Sequence, residues 1–283
     1  MKQSRGFSLV ELAMAVLIIG LLLAGALIPL SSQIDTRNIA ETQRNMEAIR
    51  EAIIGFAQAN GRLPCPADGT IKTGQSVAGV PAGVEVTSGS APNTACTQVY
   101  GVVPWSTLGV PETDGWGRRF SYQVTAIFAD GIGLGTFNNT FPVTQSPPCP
   151  TPVIPTPTQS SFALCSMGSL TVNTRSEQSP HVANPIGLSL AAVIVSHGKN
   201  GGGAFTPTGG TQLVLLPANA GADETANAAH AGATTTFVSR VQTPSQFGGC
   251  NDATGTFCEF DDLVVMISSN VLMVRMIAAG KLP

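Results

Sequence analysis

The chain has 283 residues and a formal net charge of −3, and only 11% of its residues are charged, against about 25% in typical soluble proteins. It contains no basic patch interleaved with aromatic residues, so the composition gives no support to nucleic-acid binding. Glycine, threonine, serine, proline and alanine replace the charged residues, which is typical of an exported β-rich domain with long loops, and the chain is long enough for one core.

The N-terminus has a short basic leader, residues 1–6, followed by an apolar stretch over residues 7–30 that contains one carboxylate, Glu11. As a helix this stretch would be about 36 Å long at about 1.5 Å per residue, enough to cross a bilayer core of about 30 Å. We therefore predict a transmembrane helix there. Lys2 and Arg5 on its N-terminal side predict a cytoplasmic N-terminus, with the rest of the chain in the periplasm or outside the cell.

Gly6 and Glu11 distinguish this segment from an ordinary secretory signal. The cleavage site of such a signal follows its apolar core, whereas Gly6 precedes the apolar stretch, so that cleavage there would leave the stretch on the mature chain. A carboxylate at membrane depth costs at least about 2.5–3.5 kcal/mol, which indicates a partner for Glu11 that need not lie in this chain. The alternative is a plain membrane anchor with Glu11 near the interface, which leaves both residues unexplained.

The segment K-Q-S-R-G-F-S-L-V-E-L, residues 2–12, resembles the N-terminal signature of type IV prepilins and type II secretion pseudopilins. The resemblance implies that a prepilin peptidase cuts after Gly6 and methylates Phe7. It also implies that Glu11 pairs with the N-terminal amine of a neighbouring pilin or pseudopilin subunit. The expected location is the bacterial inner membrane, with one pass and a periplasmic head, and later a pilus or pseudopilus filament.

Helical periodicity continues beyond the apolar stretch. Apolar residues at positions 46, 49, 53 and 56 follow spacings of three and four, which predicts one face of an amphipathic helix. Asn60-Gly61 is a helix stop signal, so the pattern predicts one helix over residues 7–59. Its first part, residues 7–30, would serve as membrane anchor and filament core. Its second part, residues 31–60, would pack on a head formed by residues 61–283.

The head is predicted to be an antiparallel sheet, so the fold class is α+β: a long N-terminal helix packed on a pilin-like, β-rich head with disulfide-pinned loops. Short apolar runs between turn signals predict the strands. They are Val99–Val103, Phe120–Ala126, Ser169–Val172, Leu190–Ser196, Gln212–Leu216, Thr235–Val241 and Leu263–Ser268. Two stretches are predicted insertions, a proline-rich one near residues 142–159 and a glycine- and alanine-rich one over residues 201–232.

Three short motifs of the head are similar to motifs of the major type II secretion pseudopilin, in the same order. They are Asp114-Gly115-Trp116-Gly117, Ser196-His197-Gly198-Lys199-Asn200-Gly201 and Asp261-Asp262-Leu263-Val264. About 60 residues separate the second motif from the third, far more than in that compact family. The greater length and the six cysteines also depart from its pattern, which favours a diverged minor pilin or pseudopilin.

The six cysteines predict disulfides formed in an oxidising compartment. Six cysteines allow fifteen pairings, and we favour the sequential one because each bridge would close a glycine- or proline-rich loop. The pairs are Cys65–Cys96, Cys149–Cys165 and Cys250–Cys258. The alternative is zinc, but the sequence has no C-x-x-C and its three histidines lack metal-site spacing.

The resemblance also implies a candidate calcium site, because the similar pseudopilin heads hold calcium near their closing D-D-I segment. Calcium prefers several oxygen ligands, and Asn200, Asp261 and Asp262 are the candidates here. The alternative is turn chemistry, with Asn-Gly in a tight turn and the aspartates as caps or exposed charges. The long segment between Asn200 and Asp261 favours this alternative.

The sequence predicts no enzyme. Gly187-Leu-Ser-Leu-Ala lacks the final glycine of a nucleophile elbow, and Gly198-Lys199 lacks the upstream glycine of a phosphate-binding loop. Two hypotheses remain. The chain is a structural subunit of a type IV pilus or type II secretion filament, or it is a tip adhesin or secretion-substrate receptor that uses the long loops of its head.

Overall fold

The computed structural model describes residues 8–90, 94–131, 160–210, 212, 221–228, 235–244 and 249–282, and within the first range it leaves the side chains of residues 22–32 undescribed. The predicted cleavage and methylation positions, Gly6 and Phe7, lie outside the described residues. So do Cys149, the insertion near residues 142–159, and most of the predicted strand Gln212–Leu216.

Helix α1 spans Leu9–Asn60 without interruption, 52 residues in all, which is close to the predicted helix. It begins after Ser8, whose backbone N–H donates to Glu11 Oε2 at 3.0 Å, so a carboxylate caps the first turn. It ends at Gly61, where φ is 72° and the backbone N–H donates to the carbonyl of Ala57. The asparagine–glycine stop signal is explained by this left-handed cap, which glycine adopts at little cost.

Among the described residues, no helix has an apolar stretch long enough to cross a membrane. The transmembrane character of residues 7–30 therefore stays a prediction.

In the part of the head that the structure describes, the central sheet has six strands and is mixed. Strands β5 (Tyr100–Val102), β6 (Ser121–Val124), β8 (Ala183–Ser196), β7 (Leu170–Arg175) and β9 (Thr236–Val238) follow one another in this order, and β10 (Leu263–Ser268) pairs with β8. All pairs are antiparallel except β7 with β9, which run parallel. The prediction of a wholly antiparallel sheet is therefore wrong at the β7–β9 pair only. The first half of β8 pairs with β7 and its second half with β6 and β10.

Smaller elements surround this sheet. Two hairpins are formed by β1 (Ser76–Val77) with β2 (Val80–Pro81), and by β3 (Thr87–Ser88) with β4 (Ala95–Cys96). The short helices are α2 (Trp105–Leu108), α3 (Ala126–Ala129) and α4 (Ala222–Ala228), and α5 (Ser269–Ala278) closes the described chain. Helix α4 lies inside the segment 201–232, for which the sequence predicted only a loop and one strand.

The main core lies between the second half of α1 and the sheet. Met46, Ile49 and Ile53 are fully buried, as the helical spacing predicted, and they share one cluster with Tyr122 of β6 and Ile194 of β8. Helix α5 adds three buried side chains to the same core: Leu272, Met273 and Met276. A second cluster on the sheet joins β7, β8 and β9. The second half of α1 is thus part of the head, whereas residues 9–21 are exposed.

Two disulfides are placed as the sequential pairing predicted. Cys65 bonds Cys96, and Cys250 bonds Cys258, with Cα–Cα distances of 5.3 and 4.9 Å. Cys165 is also disulfide-bonded, while its predicted partner Cys149 lies outside the described residues. No described cysteine is free, so the described thiols leave no ligands for zinc.

Candidate functional site

The three head motifs, far apart in sequence, meet at the end of the sheet that faces α1. Ser196 donates to Asp114 Oδ2 at 2.7 Å, which joins the first motif to the second. The backbone N–H of Asn200 donates to Asp261 Oδ2 at 2.8 Å, which joins the second to the third. Strand pairing explains the second junction, because Leu263 of β10 lies opposite Ser196 of β8. The motifs therefore form one site.

The first motif also connects the site to α1. Asp114 Oδ1 accepts the N–H groups of Trp116 and Arg118, which closes the turn. Gly115 donates to the hydroxyl of Thr42 on α1 at 3.0 Å. A Cβ at residue 115 would lie 2.6 Å from the carbonyl oxygen of Asn38, so only glycine lets the turn lie directly on the helix backbone.

Three carboxylates converge beside this junction. Glu224 of α4 joins Asp261 and Asp262 at the start of β10, and one oxygen of each lies within 4.8 Å of the others. Glu224 and Asp262 are buried and Asp261 is half-buried. We call these three residues the carboxylate cluster.

Asn200, the third predicted calcium ligand, supports the carboxylate cluster from one side. Its side-chain amide donates to both oxygens of Glu224, at 2.9 and 3.1 Å. Its own side-chain oxygen accepts the N–H of Gly202. In this arrangement Asn200 orients Glu224 and uses its oxygen within its own turn, as the turn-chemistry alternative expected for Asn-Gly.

Burial disfavours the charged form of all three carboxylates, and repulsion within the cluster adds to this effect at Glu224 and Asp262. Burial, followed by the charge of Asp261, raises the pKa of Glu224 to about 8. Burial and the charge of Glu224 raise the pKa of Asp262 well above its ordinary value, and burial also raises that of Asp261. Asp261 Oδ1 is buried, and the carboxyl groups of Asp261 and Glu224 lie close enough to share a proton. The oxygen-only ligand set fits a hard divalent cation such as calcium, which would replace that proton.

Glu11, the predicted assembly residue, lies at the other end of the molecule. Its side chain is exposed in the first turn of α1, where it accepts the N–H of Ser8. A carboxylate has about four lone-pair positions, so this bond leaves Glu11 able to accept a second donor. The exposed residues 9–21 that surround it include large apolar side chains such as Leu9, Leu12 and Leu17.

Residues 1–27 match the family model of the prokaryotic N-terminal methylation motif. This motif is the prepilin-type signature of type IV pilins and pseudopilins, and the chain has the N-terminus of a pilin-like or pseudopilin precursor. The motif implies processing by a prepilin peptidase and assembly with other pilins, and it suggests a membrane and filament location. No curated protein and no solved structure was found to match the chain.

The prepilin-type motif ends at residue 27, within the first half of α1, and includes no residue of the head. The function of the head therefore depends on its own residues. Sequence reasoning missed Glu224, the third member of the carboxylate cluster. One signal was present: Asp223 and Glu224 are the only charged residues between Lys199 and Arg240. A lone charged pair in such a neutral stretch, followed by helix-forming residues, is a candidate for a buried role.

The glycine-rich insertion is partly folded into the head. Phe205 is nearly buried beside Gly69, and its carbonyl accepts the N–H of Arg119 at 2.9 Å. Of the described parts of residues 201–232, residues 201–205 are buried and residues 222–228 form α4, while Thr208, Gly210, Ala222 and Thr225 are exposed. These parts do not test the receptor hypothesis, which stays a prediction.

A serine, a histidine and an aspartate of the site resemble a hydrolase triad in identity only. Ser121 Oγ lies 2.8 Å from His197 Nε2, and His197 Nδ1 lies 3.7 Å from Asp262 Oδ1. Ser121 is 1% exposed and His197 is 0% exposed, so no substrate carbonyl can reach the hydroxyl. The arrangement therefore places the three side chains in the interior, where the Ser121–His197 hydrogen bond pairs two buried polar groups.

Proposed function

We propose that this chain is a structural subunit, a minor pilin or pseudopilin, of a type IV pilus or type II secretion filament. The observation that carries the proposal is one uninterrupted helix with two different halves. Residues 9–21 expose apolar side chains within the methylation motif, whereas Met46, Ile49 and Ile53 are buried in the head. Such a helix can hold the subunit in the membrane before assembly and pack against other stems afterwards.

The proposed mechanism begins with removal of residues 1–6. Cleavage after Gly6 would create a new amine at Phe7, four positions before Glu11. In the apolar filament interior a charged amine and a charged carboxylate are each costly alone. Pairing Glu11 with the Phe7 amine of a neighbour would neutralise both and set the register between the stems.

Processing at Gly6 is the direct test. The intact mass of the chain purified from a bacterium with a prepilin peptidase should correspond to residues 7–283 plus one methyl group. Gly6→Leu should retain the leader, because the added side chain would occupy the space of a small residue at the scissile bond. Gln3→Leu is the matched control, since it changes the leader away from the cut and should be processed. An unmodified full-length mass for the wild-type chain would contradict the proposal.

We further propose that the carboxylate cluster holds calcium, with Asn200 orienting Glu224. The cation would neutralise three carboxylates that otherwise repel one another in a buried setting. It would connect α4 with the start of β10 and, through Asn200, with the end of β8. A head exported into a calcium-containing medium would gain stability in this way without a larger core.

The calcium-free head should lose stability as the pH rises from about 5 to about 8, because a carboxylate with a raised folded-state pKa stabilises the folded state only while it is protonated. The folded-state pKa of Glu224, about 8, lies above its ordinary value, so the folded chain binds a proton that the unfolded chain releases in this range. Calcium should remove the decline. Melting curves of the full chain in detergent, with chelator or with calcium, measure both effects.

Glu224→Gln should flatten the pH dependence and remove the calcium effect. The matched control is Glu177→Gln, which neutralises an exposed carboxylate of the head and should leave both effects in place. A wild-type melting temperature that calcium does not change at about pH 8, where the cluster is most ionised, would remove calcium from the proposal.

A further inference from the structure

The N-terminal end of α4 is held by the loop that the Cys250–Cys258 disulfide closes, which we call the disulfide loop. Asp252 in this loop accepts the backbone N–H of Asp223 at 3.1 Å through Oδ2. Through Oδ1 it accepts the N–H of Cys258 at 2.9 Å. One buried carboxylate therefore ties the first turn of α4 to the disulfide itself.

A buried arginine reinforces this connection. Arg240 donates to Asp223 Oδ2 at 2.9 Å and to Asp252 Oδ1 at 3.1 Å, and its side chain is 4% exposed while both carboxylates are 0% exposed. Its guanidinium also lies over the rings of Phe257 and Phe260, at 4.6 and 4.4 Å from their centres. Removing one partner from such a network leaves buried charge uncompensated, so the members hold one another in place.

The Arg240 network is adjacent in sequence to the carboxylate cluster in both chain segments that form the cluster. Glu224 follows Asp223, and Asp261 follows Phe260. Across the gap, the N–H of Asp261 donates to Glu224 Oε1 at 3.1 Å. The contact is close-packed as well, because a Cβ on Gly221, just before α4, would lie 2.7 Å from the Cβ of Cys258.

We propose that the disulfide loop sets the calcium affinity of the carboxylate cluster by holding α4, through Asp252, where Glu224 meets Asp261. This inference rests on the calcium site proposed above. The residues concerned are positioning residues, since none of them belongs to the cluster. Groups that orient metal ligands in this way change metal affinity by about 10- to 100-fold when they are removed.

A competing anchor exists at the other end of α4. Asn227 donates to the carbonyl of Val238 and to Asp262 Oδ2, and its side-chain oxygen accepts the N–H of Val238, all at 2.8 Å. If Asn227 alone positioned the helix, the disulfide loop would be irrelevant to calcium. The test must therefore distinguish the effect of the disulfide loop from the effect of Asn227 and from a general loss of stability.

Calcium titration of the full chain in detergent by calorimetry provides this separation. Cys250→Ser/Cys258→Ser and, independently, Asp252→Asn should each weaken calcium binding by about tenfold or more. Asp252→Asn keeps the disulfide and serves if the double variant does not fold. The matched control, Cys65→Ser/Cys96→Ser, removes a disulfide whose backbone N–H groups donate to Glu85 and Asp130, outside the cluster and its network. It should bind calcium within about twofold of wild type while melting earlier.

Three results would overturn the inference in different ways. Wild-type affinity in a folded Asp252→Asn or disulfide-free variant would show that the disulfide loop does not position Glu224, while the calcium site itself would stand. An absence of calcium binding in the wild-type chain would remove the site, and the inference with it. An equal loss in the Cys65→Ser/Cys96→Ser control would also overturn it, since the effect would then follow stability alone.

Discussion

Replacing Glu11 by glutamine should abolish filament assembly while leaving the first turn of α1 intact. Glutamine can accept the N–H of Ser8 as glutamate does, so the helix start is preserved and only the charge is lost. If the carboxylate neutralises a neighbour's N-terminal amine, its removal leaves that amine buried and uncompensated. Such a defect costs about 3–5 kcal/mol, and at about 1.4 kcal/mol per factor of ten this lowers the association constant more than a hundredfold.

The measurement is the amount of chain in sheared filaments relative to the membrane fraction, made in cells that carry the cognate machine. Glu47→Gln is the matched control, because Glu47 is an exposed carboxylate on the same helix that pairs only with Arg50. It should assemble normally, since an exposed helix pair contributes about 0.3–0.5 kcal/mol. Normal filaments from Glu11→Gln would show that Glu11 does not set the register between subunits and serves only as a helix cap.

Replacing Arg119 by methionine should cause a large loss of head stability. Arg119 is 0% exposed, and it donates to Glu112 and to the carbonyls of Gly69 and Ile71. It also donates to Thr73, and its guanidinium lies 4.5 Å from the centre of the Trp105 ring. One side chain thus holds the segment 69–73 against the start of β6.

Methionine fills much of the same volume but leaves these acceptors unpaired. Breaking a buried ion pair from one side costs about 3–5 kcal/mol, which corresponds to a fall in melting temperature of roughly 10 °C for a domain of this size. Thermal unfolding of the full chain in detergent, followed by circular dichroism, measures the change.

Arg275→Met provides the comparison for this prediction. Arg275 pairs with Glu51 at 3.2 Å, but their side chains are 49% and 47% exposed, and such pairs are worth about 0–1 kcal/mol. Its melting temperature should stay close to that of the wild type. Equal shifts in the two variants would mean that burial is not what makes the Arg119 network important.

The sequence alone predicted the long helix and most strands because these depend on local patterns. Helical spacing places Met46, Ile49 and Ile53 on one face, and the same residues are buried. Strand β10 occupies Leu263–Ser268, the predicted range. Helix α5 was missed, although Ser268-Ser269-Asn270 forms a polar break after the strand and Ser268 is the kind of residue that caps a helix start.

The carboxylate cluster shows what local patterns cannot supply. Asp261 and Asp262 were candidates from a short motif, but Glu224 lies 37 positions before Asp261, and only the packing of α4 against β9 and against the residues that precede β10 brings it to them. The parallel pairing of β9 with β7 is of the same kind. No feature of a short strand specifies the direction of its partner, since both ladders satisfy the same backbone groups.

The sequence by itself therefore determined the N-terminal part of this protein: a methylation motif at residues 1–27, a carboxylate at Glu11 and a helix that continues to Asn60. Only the tertiary structure decided the head site, where three distant motifs meet and Glu224 completes the cluster. The physical reason is the range of the forces. Helix hydrogen bonds and apolar spacing act within a few residues, whereas the repulsion among buried carboxylates exists only after the chain has brought them together.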